Sequence, residues 1–150
     1  MLFRSVECNK LFDEIDIAIM AAAPADFSAK NFAEQKIKKS PNSDTLNIEF
    51  EKTKDIAASL GQRKTNKQTL VIFAAETENV VKNAKDKLVL KNADMIISND
   101  VSKTDSGFNS DQNTVTVITK NYEKPFEIMD KDILSHVLLD EIVPLHNRDV

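Results

Sequence analysis

Short apolar runs alternate with amphipathic segments along most of the chain. Runs at 15–22 (IDIAIMAA), 69–74 (TLVIFA) and 94–98 (DMIIS) are rich in β-branched residues, which is typical of the buried strands of a parallel sheet. Segment 78–91 carries apolar residues three and four positions apart, which predicts a helix. The last two strands with this helix form a βαβ unit, expected to be right-handed. The pattern therefore predicts a doubly wound α/β core.

Further helices are predicted at 5–14, 54–61 and 131–143. For the second of these, Thr53 is a suitable N-cap and Gly61 a suitable C-terminal stop. These helices can cover the two faces of the predicted sheet.

Two pairs of strands are predicted outside the parallel core. Segments 34–38 and 45–51 are joined by the turn residues SPNSD, which favours a β-arm. Segments 113–119 and 124–129 alternate apolar and polar residues, which predicts a C-terminal β-hairpin. The predicted fold class is α/β: a Rossmann-like, mostly parallel sheet with helices on both faces, a β-arm and a C-terminal hairpin.

The length, the net charge and the cysteine and glycine counts limit the classes of protein to which the chain can belong. With 150 residues, the chain is expected to form a single domain. A net charge of −4 gives no reason to expect nucleic-acid or membrane binding, and no run approaches the roughly 20 apolar residues of a membrane span. One cysteine, Cys8, suits a reducing cytoplasm. The chain has only two glycines, so it lacks a glycine-rich phosphate loop.

Polar residues follow three of the predicted parallel strands, within AAAPAD, FAAETE and SNDVSK. In open α/β sheets ligands bind outside the carboxyl ends of the strands, so Asp26, Glu76, Asn99 and Asp100 are expected at one edge. The alanines at the first two exits would let a flat group approach closely. Ordinary strand-to-loop transitions would give the same pattern, and both interpretations stay open.

Lysines near these exits are candidates for binding an anion. Lys36 and Lys38 would share one face of the predicted strand 34–38, and Lys87 and Lys91 lie one helical turn apart. Lysine is a common phosphate partner, and Asp26 could hold Mg²⁺ together with substrate phosphates. A solvated surface, with charge protecting an edge strand, is the competing interpretation.

Six motifs make the interpretation specific: MAAAPADF, KIKK, FAAET, KLVLK, SNDVS and GFNSD. In this order and spacing they resemble the phosphopantothenoylcysteine synthetase domain (phosphopantothenate–cysteine ligase) of coenzyme A biosynthesis. The resemblance runs from about residue 16 to residue 142. It implies that the chain is the C-terminal part of such a domain, which in many bacteria is fused to an FMN-dependent decarboxylase absent here.

The resemblance implies a reaction and its participants. Family enzymes join 4′-phosphopantothenate to L-cysteine through an acyl-cytidylate, using CTP with Mg²⁺ and releasing pyrophosphate and then CMP. They are homodimers, and the predicted β-arm would be an interface. The bacterial-type motifs favour CTP, while ATP stays open as the nucleotide.

The resemblance also implies roles for individual residues. Lys36 would be catalytic, acting at the reacting phosphate, and Asp26 would bind the nucleotide and its metal ion. The implied nucleotide-binding residues are Met20, Asp26, Lys36, Lys52, Thr53, Lys54, Asp55, Phe73, Lys87 and Lys91.

The sequence also departs from the family pattern. It lacks the early glycine-rich region that would supply an asparagine for the acyl intermediate, so we expect an N-terminally truncated chain. Pro24 and Phe27 replace a more usual aliphatic residue and a more usual tyrosine. A catalytically silent remnant that binds nucleotide or pairs with a partner is the alternative function. An unrelated dinucleotide-dependent oxidoreductase is disfavoured because the glycine fingerprint is absent.

Overall fold

The computed structural model describes residues 2–38, 45–101 and 110–147. Four α-helices and one short 3₁₀-helix at Phe12–Glu14 accompany the strands in these ranges. The helices are α1 (Leu2–Leu11), α2 (Ile56–Arg63), α3 (Val80–Leu90) and α4 (Lys131–Asn147). The strands are β1 (Ile17–Met20), β2 (Phe27–Ala29), β3 (Phe50–Lys52), β4 (Thr69–Glu76), β5 (Met95–Asp100), β6 (Gln112–Asn113), β7 (Val115–Thr119), β8 (Glu123–Pro125) and β9 (Met129–Asp130).

A five-stranded sheet in the order β1-β4-β5-β7-β8 forms the centre of the fold. The pairs β1–β4 and β4–β5 are parallel, with Ile17 opposite Thr69 and Ile72 opposite Ile96. The pairs β5–β7 and β7–β8 are antiparallel, so the predicted C-terminal hairpin is confirmed with shorter strands. The predicted mostly parallel α/β sheet is confirmed.

Alternate residues of the sheet strands point to two separate cores, as the strand period of two requires. On one face, Leu70, Ile72 and Ile96 pack with residues of α2 and α3. On the other face, Val71 and Ile97 pack with residues of α4. Helices therefore cover both faces, as predicted.

The β-arm differs from its prediction. Residues 34–38 form no strand, and only the end of 45–51 does, so the predicted pairing is wrong. Instead β2 pairs with β3 in antiparallel register, and the Lys30 N–H donates to the Glu49 carbonyl at 3.0 Å beside it. Within the described residues no strand pairs with 34–38, and its short alternating pattern did not suffice to form a strand. The turn predicted at 40–44 lies outside the described residues.

Helix α2 begins and ends differently from the prediction. Asp55, not Thr53, is its N-cap, because the Asp55 carboxylate accepts a hydrogen bond from the Ala58 N–H at 2.9 Å. Gly61 lies inside the helix and is buried, so its role as a stop is wrong. The helix ends where Lys64 turns to an extended conformation. Among the described residues, no helix combines the length and apolar character needed to cross a bilayer.

Candidate functional site

A cavity of about 150 Å³ opens at the carboxyl end of β1, where the chain leaves the sheet towards β2. The alanine-rich loop at 22–25 forms one wall, and the start of α2 forms another. The cavity is lined by Met20, Ala22, Ala23, Pro24, Ala25, Asp26, Thr53, Lys54, Asp55, Ile56, Ala57, Ile72, Phe73 and Lys91. This is the sheet edge at which α/β folds bind ligands.

Thr53 fixes the loop that follows β1. Its hydroxyl donates a hydrogen bond to the Ala25 carbonyl at 2.7 Å, and its N–H donates to the Asp26 carbonyl at 2.8 Å. These bonds hold the loop against the chain just before α2. Asp26 therefore lies at the wall of the cavity with its side chain exposed to solvent.

Asp55 and Lys91 join two helices at the same cavity. One carboxylate oxygen of Asp55 caps α2, and the other lies 3.0 Å from the Lys91 ammonium at the end of α3. Burial raises the pKa of the Asp55 carboxyl, but the Ala58 N–H, Lys91 and the Ala57 N–H outweigh that effect and lower the pKa below its ordinary value. The carboxylate is therefore charged at neutral pH.

Strand β4 supplies the apolar floor of the cavity. Ile72 is buried in the sheet, and Phe73 is partly buried against the α4 side of the core. Ile72 and Phe73 are neighbours in a strand, so their side chains point to opposite faces of the sheet, and the Phe73 ring lies on the face that α4 covers. Met20, at the end of β1, is partly buried beside them.

Lys87 lies outside this cavity lining and has another partner. Its ammonium lies 2.5 Å from the Glu76 carboxylate, and Glu76 is itself buried at the end of β4. The Asn83 amide donates to the same carboxylate at 3.3 Å. Of the two lysines predicted to share one helical face, only Lys91 therefore contacts the cavity.

The remaining predicted lysines are divided between two places. Lys54 lines the first cavity and also a neighbouring one of about 320 Å³, and Lys52 lines only the second. That second cavity lies between α1 and the β2–β3 pair. Lys36 is exposed and lines neither cavity.

The end of β5 carries two polar atoms without partners in the described part of the chain. The Ser98 hydroxyl oxygen and the Asn99 amide oxygen are both buried there. Only Asn99 was singled out from the sequence, because Ser98 reads as an ordinary strand residue. Asp100 ends the same strand, and the GFNSD motif at 107–111 lies mostly outside the described residues.

Metal binding at this edge would depend on very few protein ligands. Within residues 2–38, 45–101 and 110–147, no three histidine, cysteine or acidic side chains come together. Asp26 is an exposed carboxylate at the cavity wall. This fits Mg²⁺, which commonly takes one or two carboxylates and completes its shell with water and substrate phosphates.

Comparison with known proteins gives the family. Residues 5–145 match the family model "DNA/pantothenate metabolism flavoprotein C-terminal domain". The chain is 45% identical over 123 residues to the coenzyme A biosynthesis bifunctional protein CoaBC of Vibrio cholerae, covering 82% of this chain and 31% of that protein. It is 40% identical over 141 residues to CoaBC of Escherichia coli, covering 93% of this chain and 35% of that protein.

A solved structure agrees with these sequence matches. The crystal structure of the C-terminal domain of a coenzyme A biosynthesis bifunctional protein CoaBC has a TM-score of 0.71 and 31% identity, covering 92% of this chain and 58% of that one. The chain thus spans about a third of the length of the two curated relatives. The family model and the fold agree, and the chain belongs to the DNA/pantothenate metabolism flavoprotein C-terminal domain family.

Proposed function

We propose that residues 1–150 form a single domain, the C-terminal part of a phosphopantothenate–cysteine ligase, and bind CTP in coenzyme A biosynthesis. The observation that carries this proposal is the cavity at the end of β1. It combines Asp26, Lys54 and Lys91 with the N-terminus of α2. Membership of the family and the CoaBC relatives supply the reaction class.

The cavity has the chemistry to hold part of a nucleotide. Lys54 and Lys91 can each bind a phosphate oxygen, and the alanine wall leaves room for a flat ring. A volume of about 150 Å³ is below the roughly 300–1,000 Å³ of typical ligand pockets, so it accommodates only part of a nucleoside triphosphate. The neighbouring cavity with Lys52 and Lys54 is available to the rest of the substrate.

Asp26 is the residue we assign to Mg²⁺. The hydrogen bonds from Thr53 fix the backbone on which it stands, while its carboxylate stays open to solvent. A bound Mg²⁺ would neutralise charge on the triphosphate. FMN would belong to a fused decarboxylase domain and has no assigned residue in this chain.

The proposed reaction has two group transfers. A carboxylate oxygen of 4′-phosphopantothenate bonds to the α-phosphorus of CTP, and the bond to pyrophosphate breaks. The cysteine amine then bonds to the acyl carbon, CMP leaves with the electron pair of the acyl C–O bond, and the amine loses a proton. Lys36 would offset the charge on the α-phosphate in both steps.

Lys36 must approach the nucleotide for this role. It is exposed in segment 34–38, which follows β2, and β2 begins one residue after Asp26. The exposed position leaves its ammonium free to meet a phosphate that extends out of the small cavity. Its assignment as the catalytic residue rests on the family resemblance.

We also propose a cytoplasmic homodimer formed through the β2–β3 arm. Large apolar side chains on and beside this arm are strongly exposed, including Phe27 (54%), Phe32 (91%) and Phe50 (59%). Aromatic side chains grouped in this way are typical of protein interfaces. The alternative function is nucleotide binding, or pairing with a partner chain, without catalysis.

Pyrophosphate release tests the proposal. The chain is assayed with 4′-phosphopantothenate, L-cysteine, Mg²⁺ and either CTP or ATP, and nucleotide binding is measured separately by calorimetry. We expect CTP-dependent pyrophosphate release and tighter binding of CTP than of ATP. CTP binding without turnover would establish the non-catalytic alternative. Absence of CTP binding would contradict the proposed site itself.

A further inference from the structure

Gly61 lies at the contact between α2 and the end of α3. A Cβ atom built on Gly61 would lie 1.8 Å from the Lys91 carbonyl oxygen and 2.9 Å from its carbon. Alanine has a higher helix propensity than glycine, so the reason for a glycine here lies in the packing around position 61. That reason is the Lys91 carbonyl, which occupies the space of the missing side chain.

The end of α3 is held firmly in this place. The Lys91 N–H donates to the Lys87 carbonyl at 3.0 Å and closes the last turn. Asn92 then adopts a positive φ of 47°, and its amide donates to the Gly61 carbonyl at 2.8 Å. The backbone at Lys91 is therefore fixed against α2 both by close contact and by a hydrogen bond from the next residue.

The side chain of Lys91 runs along α2, from Gly61 towards the start of that helix at Asp55. Its ammonium lies 3.0 Å from the Asp55 carboxylate, and the side chain is 20% exposed. Asp55 and Gly61 are separated by about 9 Å along the helix axis at 1.5 Å per residue. Lys91 thus contacts α2 with its backbone at one end and with its ammonium at the cavity.

We propose that Gly61 is a positioning residue for Lys91, setting how far the ammonium reaches into the nucleotide cavity. The proposal deepens the proposed CTP site and rests on it for its functional meaning. A methyl group at position 61 would push the Lys91 backbone away from α2, because a backbone carbonyl cannot rotate aside as a flexible side chain can. The ammonium would then move away from Asp55 and from the cavity wall.

Gly61→Ala tests the proposal with two measurements. The first is the pKa of the Asp55 carboxyl, followed by carbon-13 NMR, which reports the Lys91 contact without any nucleotide. Asp26 and Lys54 are the other charged groups lining that cavity. We expect the pKa to rise towards its ordinary value in Gly61→Ala. An unchanged pKa in the folded variant would overturn the proposal.

The second measurement is the dissociation constant for CTP. Gly61→Ala is expected to weaken binding about tenfold, as loss of one charge-assisted contact implies. In a Lys91→Met background the same change is expected to have less than about a twofold effect, because the ammonium is already gone. Equal effects in both backgrounds would contradict positioning. Leu60→Ala, a buried change in the same helix outside the cavity lining, controls for lost stability.

Two further outcomes keep the test decisive. If wild-type protein does not bind CTP, the proposed function fails, while the Asp55 pKa still tests the Gly61–Lys91 relationship. If Gly61→Ala does not fold, Asn92→Gly replaces it, because glycine tolerates the positive φ and removes the amide donor to Gly61. If the close contact with Gly61 positions Lys91, Asn92→Gly is expected to leave most of the lowering of the Asp55 pKa in place. A rise of the Asp55 pKa to its value in Lys91→Met would show that the Asn92 hydrogen bond, and not Gly61, positions Lys91, and would overturn the proposal.

Discussion

The Asp55 carboxylate lies 3.0 Å from the Lys91 ammonium, and this contact joins the start of α2 to the end of α3 beside the cavity. The same carboxylate caps α2 through the Ala58 N–H. One side chain therefore stabilises the helix and orients a cation. Substitutions that keep one of these contacts and remove the other can separate the two roles.

Asp55→Asn and Asp55→Ala form a matched pair. Asparagine caps helices about as well as aspartate, so Asp55→Asn keeps the cap and loses only the ion pair with Lys91, at an expected cost of about 0.5 kcal/mol. Asp55→Ala also loses the cap and is expected to cost about 1 kcal/mol. Both remove the charge that holds Lys91, so both should change CTP affinity. Urea unfolding and calorimetry measure the two effects. Equal stability of the two variants would contradict the capping role.

The lowered pKa of Asp55 predicts a pH dependence of stability. A carboxyl with a lower pKa in the folded state stabilises that state above its unfolded pKa of about 3.9, and the contribution disappears as pH falls through the folded pKa. We therefore expect the stability difference between wild type and Asp55→Asn to be constant near neutral pH and to vanish in strong acid. Urea unfolding of both proteins from pH 7 down to about pH 2 measures this difference. A difference that grows with acidity would contradict it.

Thr53 is predicted to matter for the loop that carries Asp26. Thr53→Val removes the hydroxyl that donates to the Ala25 carbonyl and keeps the shape of the side chain. The expected cost is about 1 kcal/mol of stability, with weaker CTP binding in the presence of Mg²⁺. Thr65→Val, in the loop after α2 and outside the cavity, is the control. Equal effects of the two changes on CTP binding would contradict the anchoring role of Thr53.

The core of the fold could be predicted because its signal is local and repeated. Strands β1, β4 and β5 are nearly continuous apolar runs, and their parallel pairing follows from the intervening helix. The β2–β3 pair could not be predicted in the same way. Its strands have three residues each, and five of these six residues are exposed, so the hydrophobic pattern of a buried strand does not mark them.

At the helix ends, too, residue type suggested candidates, and tertiary contacts decided between them. Thr53 and Asp55 are both good capping residues, and only the three-dimensional contact with the Ala58 N–H distinguishes them. Glycine is a common residue at helix ends, so Gly61 suggested a helix stop. The structure explains this glycine differently: the Lys91 carbonyl, thirty residues later in the sequence, leaves no space for a side chain at position 61. The sequence identified the polar strand ends and the lysines as candidate ligand-binding residues. Which of the two α3 lysines lines the cavity and which pairs with Glu76 depends on tertiary packing.

Lys36→Gln gives the sharpest test of the proposed chemistry. Lys36 lies outside the cavity lining, so its loss should leave most of the CTP binding intact. If it offsets charge on the α-phosphate, pyrophosphate release should fall by about 100-fold or more, since this charge develops during bond formation. Lys38→Gln, two residues away and also exposed, is the matched control and should keep near wild-type turnover. Because glutamine removes the charge and keeps a polar, slightly shorter side chain, full activity of Lys36→Gln would show that another group stabilises the reacting phosphate.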